Sequence, residues 1–254
     1  MTTDHTGRRI RGVQIAVSII EYLQTNGTTG TTAIATELGY SKSTVHSHLR
    51  TLEDERIVVG EQAGYRLSLK FLAIARDVCD QVGNYEVIKS EVDELAEETG
   101  EIGQFGIEEF GQVSYLHKAS GEKAVRTASR VGTQQPIHST ALGKTILAHL
   151  PEERREEIFD EIEFVAQTEN TITDLEQFRE EIERTSDRGY GIDDEENVLG
   201  LRCIAAPVRS GPTVLGAISV SGPSSRITDK RLHGDLAELV QRAANVIELN
   251  TKFH

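Results

Sequence analysis

The sequence is short of nearly everything that would tie it to a membrane, a disulfide framework or a metal cage. Its 254 residues include two cysteines, five prolines, one methionine and no tryptophan. Cys79 and Cys203 give neither a disulfide framework nor a four-ligand zinc site, so no metal or other cofactor is expected. No run of about 18 apolar residues occurs, which excludes an apolar membrane-spanning helix. Residues 1–11 are polar and lack an apolar core, so no secretory leader is expected there. A cytoplasmic location without a membrane partner follows as an expectation. Lysine is scarce as well: eight positions, against 41 acidic residues and a net charge of −14. Low lysine with high acid points to a protein adapted to high salt.

What is present divides unevenly. Residues 1–71 hold eight basic and seven acidic side chains, and the remaining residues hold nineteen and thirty-four. The acid is thus confined to the second part, an asymmetry that suggests two surfaces with different partners. A chain of this length is expected to fold as two domains rather than one.

The near-neutral first part carries a helix-turn-helix pattern. Gly12 to Thr25 has Val13, Ala16, Val17, Ile20 and Leu23 at helical spacing. Asn26 to Gly30 ends that helix, and Thr31 or Thr32 is placed to cap a short second one. Gly39 suits a left-handed turn, and Ser41 caps a third helix running to about Arg56. Val45, Leu49 and Leu52 share one face of it. The other face offers Lys42, Ser43, Thr44, Ser47, Arg50 and Thr51, with His46 at the flank. A core helix does not need such a face, whereas a helix in a DNA major groove does, because phosphates and base edges are hydrogen-bonding surfaces. Ile57–Val59 and Tyr65–Leu67 then read as a β-hairpin, the wing. Gln62 and Arg66 on the wing, and Arg8, Arg9 and Arg11 on the preceding arm, are candidate backbone or minor-groove contacts. Tyr65 is expected to pack the wing.

Boundaries are expected at 8–70 for the winged helix-turn-helix, 71–84 for a linker helix and 85–254 for a second domain. There, strands are expected at 102–107, 112–117, 125–129, 190–193, 203–209 and 214–221. Helices are expected at 87–99, 141–150, 151–162 and 175–187, with a long closing helix at 229–249. The helices 151–162 and 175–187 are highly charged and expected to face solvent.

Three features of the second domain suggest a ligand site. The free amides of Thr140 to Gly143 open a helix and form an anion site suited to a carboxylate, with Lys144 either beside the anion or in solvent. The run Asp193-Asp194-Glu195-Glu196 invites a metal reading, but consecutive residues point apart and cannot converge on one cation. Asp193 is the acid expected to reach a pocket. Ser219 and Ser221 share a strand face and could line it, although a polar solvent face has the same pattern. Cys203 reads as a small buried residue. Two further readings stay open: an enzyme using Cys203 with His138, and a chromatin protein whose second domain only dimerises. Neither is preferred, and no catalytic residue is expected.

The chain resembles the IclR-type transcriptional regulators. Ser41-Lys42-Ser43-Thr44-Val45-His46, Tyr65-Arg66-Leu67, His138 through Lys144, and Arg188-Gly189-Tyr190 through Gly200-Leu201-Arg202-Cys203 to Val208 carry the resemblance, with Ala217 through Pro223. It implies an α+β chain: an N-terminal winged helix-turn-helix, a linker helix and a C-terminal GAF-like effector-binding domain. It also implies dimers or tetramers on palindromic promoter DNA, and small organic acids or sugar-derived metabolites as effectors. The family's effector pocket maps to Ala141, Leu142, Asp193, Cys203, Ser219 and Ser221. One departure stands out. Ser47 and His48 occupy the place where the family usually has an arginine followed by apolar residues.

Overall fold

The computed structural model describes residues 9–82 and 84–251. The chain divides into two compact units, 1–81 and 82–254.

In the first unit, α1 (Arg11–Asn26), α2 (Thr31–Leu38) and α3 (Lys42–Asp54) precede a hairpin of β1 (Val58–Glu61) and β2 (Gly64–Leu67). Ile15, Ile19 and Leu23 of α1, Ile34 of α2 and Val45 and Leu49 of α3 form one core with Val58. The expected threonine cap of α2 is corrected: Gly30 is the N-cap, makes no side-chain cap, and Thr31 is already helical. Gly39 adopts the left-handed conformation that turns the chain from α2 into α3. The hairpin is tighter than the sequence suggests, with Glu61 paired to Gly64. It is tied back to the α1–α2 turn, since Tyr65 N–H donates to the Thr29 carbonyl and Thr29 N–H to that of Tyr65. At Gly64 (φ +144) a Cβ would stand 2.3 Å from the Thr29 oxygen, so only glycine lets the wing approach that turn. Tyr65 packs against this core, as expected.

α4 (Lys70–Val82) buries none of its residues, and Leu72, Ile74 and Val78 are exposed.

The second unit opens with α5 (Tyr85–Thr99). It is built on a six-stranded antiparallel sheet of β3 (Ile102–Glu109), β4 (Gln112–Ser120), β5 (Gln134–Pro136), β6 (Gly191–Asp194), β7 (Leu201–Ser210) and β8 (Thr213–Pro223). The strand order is β5-β4-β3-β8-β7-β6. Side chains alternate between two faces. Phe105, Ile204, Ala206, Val208, Ile218 and Val220 pack with α5 and with α10 (Asp235–Thr251). Val113, Tyr115, Ala205 and Ala217 face the other way, onto α6 (Ala141–His149). α7 (Glu152–Glu161) and α8 (Leu175–Arg188) complete that layer.

Three expectations are corrected here. No strand forms at 125–129, and the edge strand is β5 instead. The closing helix is broken: α9 (Asp229–Leu232) ends at His233 before α10 begins. The two charged helices are not merely solvent-facing, since Ile158, Phe159, Phe178 and Ile182 are core residues.

Candidate functional site

The reading helix α3 is capped by Ser41, whose Oγ accepts from Thr44 N–H at 3.1 Å. With Val45, Leu49 and Leu52 buried, the helix turns Lys42, Ser43, His46, Ser47, Arg50 and Thr51 outward, all exposed. Thr44 is half-buried and bonded to the Ser41 hydroxyl. Ser47 and Thr51 donate to the carbonyls one turn back, Ser43 and Ser47. Their hydroxyl oxygens remain open as acceptors. Among the described residues Lys42 and Arg50 have no acidic partner, so both cations are available to an external anion.

The wing is different. Arg66 Nε lies 2.5 Å from Glu61 Oε1 across the hairpin, and its Nη1 donates to the Leu67 carbonyl. A phosphate would have to compete with Glu61 for it. Gln62, at the hairpin tip, is exposed. Arg9 and Arg11 are exposed where α1 begins, and Arg8 lies outside the described residues.

In the second unit, cross-strand registry builds a polar band on the α6 side of the sheet. Asp193 pairs with Cys203, Cys203 with Ser221, and Ser221 with Ile102. The next row on the same face is Ala205, Ser219, Gln104 and Lys118. Ser221 Oγ donates to Gln104 Oε1 at 3.0 Å. A cavity of about 120 Å³ opens on this band. Asp193, Cys203 and Ser221 line it, together with Gln104, Tyr115, Gln135, Asn197, Thr127 and Ser129.

The other three expected pocket residues stand behind this wall. Ser219 is fully buried, and among the described residues its hydroxyl has no hydrogen-bond partner. Ala141 and Leu142 are buried and do not line the cavity. At the start of α6, Thr140 Oγ1 accepts from Gly143 N–H, and a Cβ on Gly143 would meet the Ile137 carbonyl at 2.0 Å. The segment leading into the helix therefore lies directly against its first turn.

The four consecutive acids go four ways. Asp193 is buried, and its Oδ1 accepts from Glu196 and Asn197 N–H groups at 2.7 and 3.2 Å. Burial raises its pKa to about 7, against the opposing pull of Lys144. Asp194 pairs with Arg202 at the surface, and Glu195 accepts from Gly200 N–H. Glu196 forms a buried ion pair with Lys144. Lys144 thus neither lies in solvent nor faces the cavity. It neutralises a carboxylate that burial otherwise pushes toward its protonated form.

Cys203 is held strongly protonated, by burial first and by the Asp193 charge second. His138 donates from Nε2 to the Val165 carbonyl and packs edge-on to Phe164. The structure does not bring the two together as a thiol and base.

Sequence reasoning passed over Gln104, Tyr115, Thr127, Ser129, Gln135 and Asn197. Only the β3–β8 registry, the path of the segment after β4 and the turn after β6 place them at the cavity.

A winged helix-turn-helix with free cations on its third helix, and a separate α+β unit enclosing a polar cavity, define a DNA-binding transcriptional regulator with a C-terminal ligand-binding domain. Residues 12–61 match the family description "IclR helix-turn-helix domain", and residues 77–249 match "Bacterial transcriptional regulator IclR C-terminal". The chain belongs to the IclR family. It is 34% identical to the "Probable HTH-type transcriptional regulator ArcR" of Halobacterium salinarum over 95% of this chain and 94% of that one. It is 32% identical to the HTH-type transcriptional regulator KdgR of Escherichia coli over 89% and 86%. In fold it is similar to the Thermotoga maritima IclR crystal structure (TM-score 0.82, 24% identity, 96% and 99% covered). An IclR homologue from Microbacterium hydrocarbonoxydans complexed with 4-hydroxybenzoate has the same fold (TM-score 0.83, 22% identity, 96% and 100% covered).

Proposed function

We propose that this regulator binds a palindromic operator as a dimer or higher oligomer, and that a small carboxylate or sugar-derived effector in the cavity of the second unit sets its operator affinity. The observation that carries the reading is the cavity itself. Side chains from all six strands of the sheet converge there on a space of about 120 Å³ and present more hydrogen-bonding groups than a packed core would. The homologue crystallised with 4-hydroxybenzoate supports an acid as the effector class.

Asp193, Cys203 and Ser221 are assigned to direct contact. Ser219, Ala141 and Leu142 are assigned to the layer behind, where α6 would move if the cavity filled. On DNA, Lys42, Arg50 and His46 with Ser41, Ser43, Thr44, Ser47 and Thr51 are assigned to the groove. Gln62 and Arg66 of the wing and the arm arginines Arg8, Arg9 and Arg11 are assigned to the backbone or minor groove. Self-association is supported by the exposed apolar side chains of α4 and by Val13 and Val17 on α1, which a second copy would cover. The protein is read as acting without a cofactor, in the cytoplasm.

The experiment is anisotropy titration of operator fragments selected from a random DNA pool. Arg50→Ala is expected to weaken binding by about tenfold, the worth of one charge-assisted contact. An unchanged isotherm at matched salt contradicts the assignment of α3.

A further inference from the structure

The cavity wall contains one carboxylate, Asp193, and no cation. No residue of the first turn of α6 lines this cavity. A cation nevertheless stands one hydrogen bond behind the opposite wall. Lys118 lies across from Gln104 in the β3–β4 pairing. Its Nζ donates to Thr127 Oγ1 at 2.6 Å, to Ser129 Oγ at 2.8 Å and to the Ser129 carbonyl at 2.8 Å. Thr127 and Ser129 both line the cavity. Among the described residues no carboxylate pairs with Lys118, and burial holds its pKa below the ordinary lysine value. A half-buried cation without a counter-charge is unfavourable unless something supplies one.

Hydrogen counting leads to the same place. Ser129 Oγ accepts from Lys118 and from Gln104 Nε2, which fills both its lone pairs. Its own hydrogen must therefore go to Thr127 Oγ1, 3.0 Å away. Thr127 Oγ1 then accepts twice, and its hydrogen is left with no acceptor among the described residues. The segment 121–133, which carries both hydroxyls, contains Lys123, Arg126 and Arg130 against a single acid, Glu122. It is a basic strap in a strongly acidic unit.

We propose that Lys118, through the Thr127 hydroxyl that it and Ser129 orient, holds the carboxylate of an anionic effector at the strap end of the cavity. Asp193, at the other end of the band, is left to hold a hydroxyl or another neutral polar group of the same molecule. The proposal rests on the effector reading above and narrows it to acids.

Calorimetry on the full chain tests it with three acids and their primary amides: glycolate and glycolamide, D-gluconate and gluconamide, 4-hydroxybenzoate and 4-hydroxybenzamide. The wild-type chain is expected to bind at least one acid about tenfold or more tightly than its amide. Lys118→Met is expected to weaken that acid by about ten- to a hundredfold and the amide by less than about twofold, while Lys118→Arg keeps the preference. Should Lys118→Met melt early, Lys118→Gln, which can still donate to a hydroxyl but has no charge, carries the same comparison. Equal binding of acid and amide by the wild type overturns the proposal, as does a Lys118→Met chain that loses both alike or neither. If no probe binds the wild-type chain, the proposal fails and the effector reading loses its support as well. A neutral compound that binds the cavity and shifts operator affinity overturns the role of Lys118 alone.

Discussion

Asp193 does two things at once. One carboxylate oxygen accepts the amides of Glu196 and Asn197 and so fixes the turn after β6, and the side chain also forms part of the cavity wall. Its burial has a measurable consequence. In the unfolded chain an aspartate ionises near pH 3.9, whereas here its pKa is raised to about 7. Between those values the unfolded chain has released the proton that the folded chain still holds. Stability should therefore fall as pH rises from about 4 to about 7 and level off above that. Asp193→Asn keeps an acceptor for the two amides and removes the titration. Urea unfolding at pH 5 and pH 8 should show the wild type losing about 2–4 kcal/mol more than the variant over that interval. Glu196, also raised by burial, declines in the same direction in both proteins. Equal losses contradict the assignment. At this scale the sequence was partly legible. Ser221 could be found because strand alternation sends every second side chain to one face, Asp193 because consecutive acids point apart and one of the four can reach a pocket, and Cys203 only through the family resemblance. Lys144 was misplaced because its partner Glu196 is 52 residues away. Gln104 and Lys118 carried no local signal at all.

Elements were read more securely where hydrophobic period and caps agree. α3 had both: Val45, Leu49 and Leu52 on one face, and Ser41 at its start. Where charge masked the period, as in α7 and α8, the buried phenylalanines were undervalued. β5 is three residues long and is defined only by its partner β4, so no periodicity could announce it. The break between α9 and α10 falls at His233-Gly234, inside a continuous helical pattern. Two predictions belong here. Gly64→Val puts a branched side chain where the Thr29 backbone already stands. The wing should detach from the α1–α2 turn and operator affinity should fall by about tenfold or more, with ligand binding to the second unit unchanged. Wild-type operator affinity in that variant would show that the wing does not need this contact. On α4, Leu72→Glu with Val78→Glu places charge on side chains exposed in the single chain. Ultracentrifugation should show a shift toward monomer, and an unchanged sedimentation coefficient would mean that this helix is not covered by a second copy.

Across the whole molecule, the charge division separates the two tasks. The DNA-reading part is nearly neutral, and the acid sits with the cavity-bearing unit. With Ser47 and His48 where the family usually has an arginine followed by apolar residues, base contacts are expected to carry more of the operator affinity than phosphate contacts. The family and the two-unit architecture were legible from motif order alone. The arrangement of the cavity was not, because it depends on all six strands of the sheet meeting in register and on a strap without regular structure.

The central claim is that the cavity and the reading helix are thermodynamically coupled. The most direct test measures both directions of that coupling: operator affinity with and without a cavity ligand, and ligand affinity with and without operator, at one salt concentration. The account predicts a change of at least about fivefold in the first and the same factor in the second. A ligand that binds the cavity through Asp193 and leaves operator affinity unchanged would contradict it.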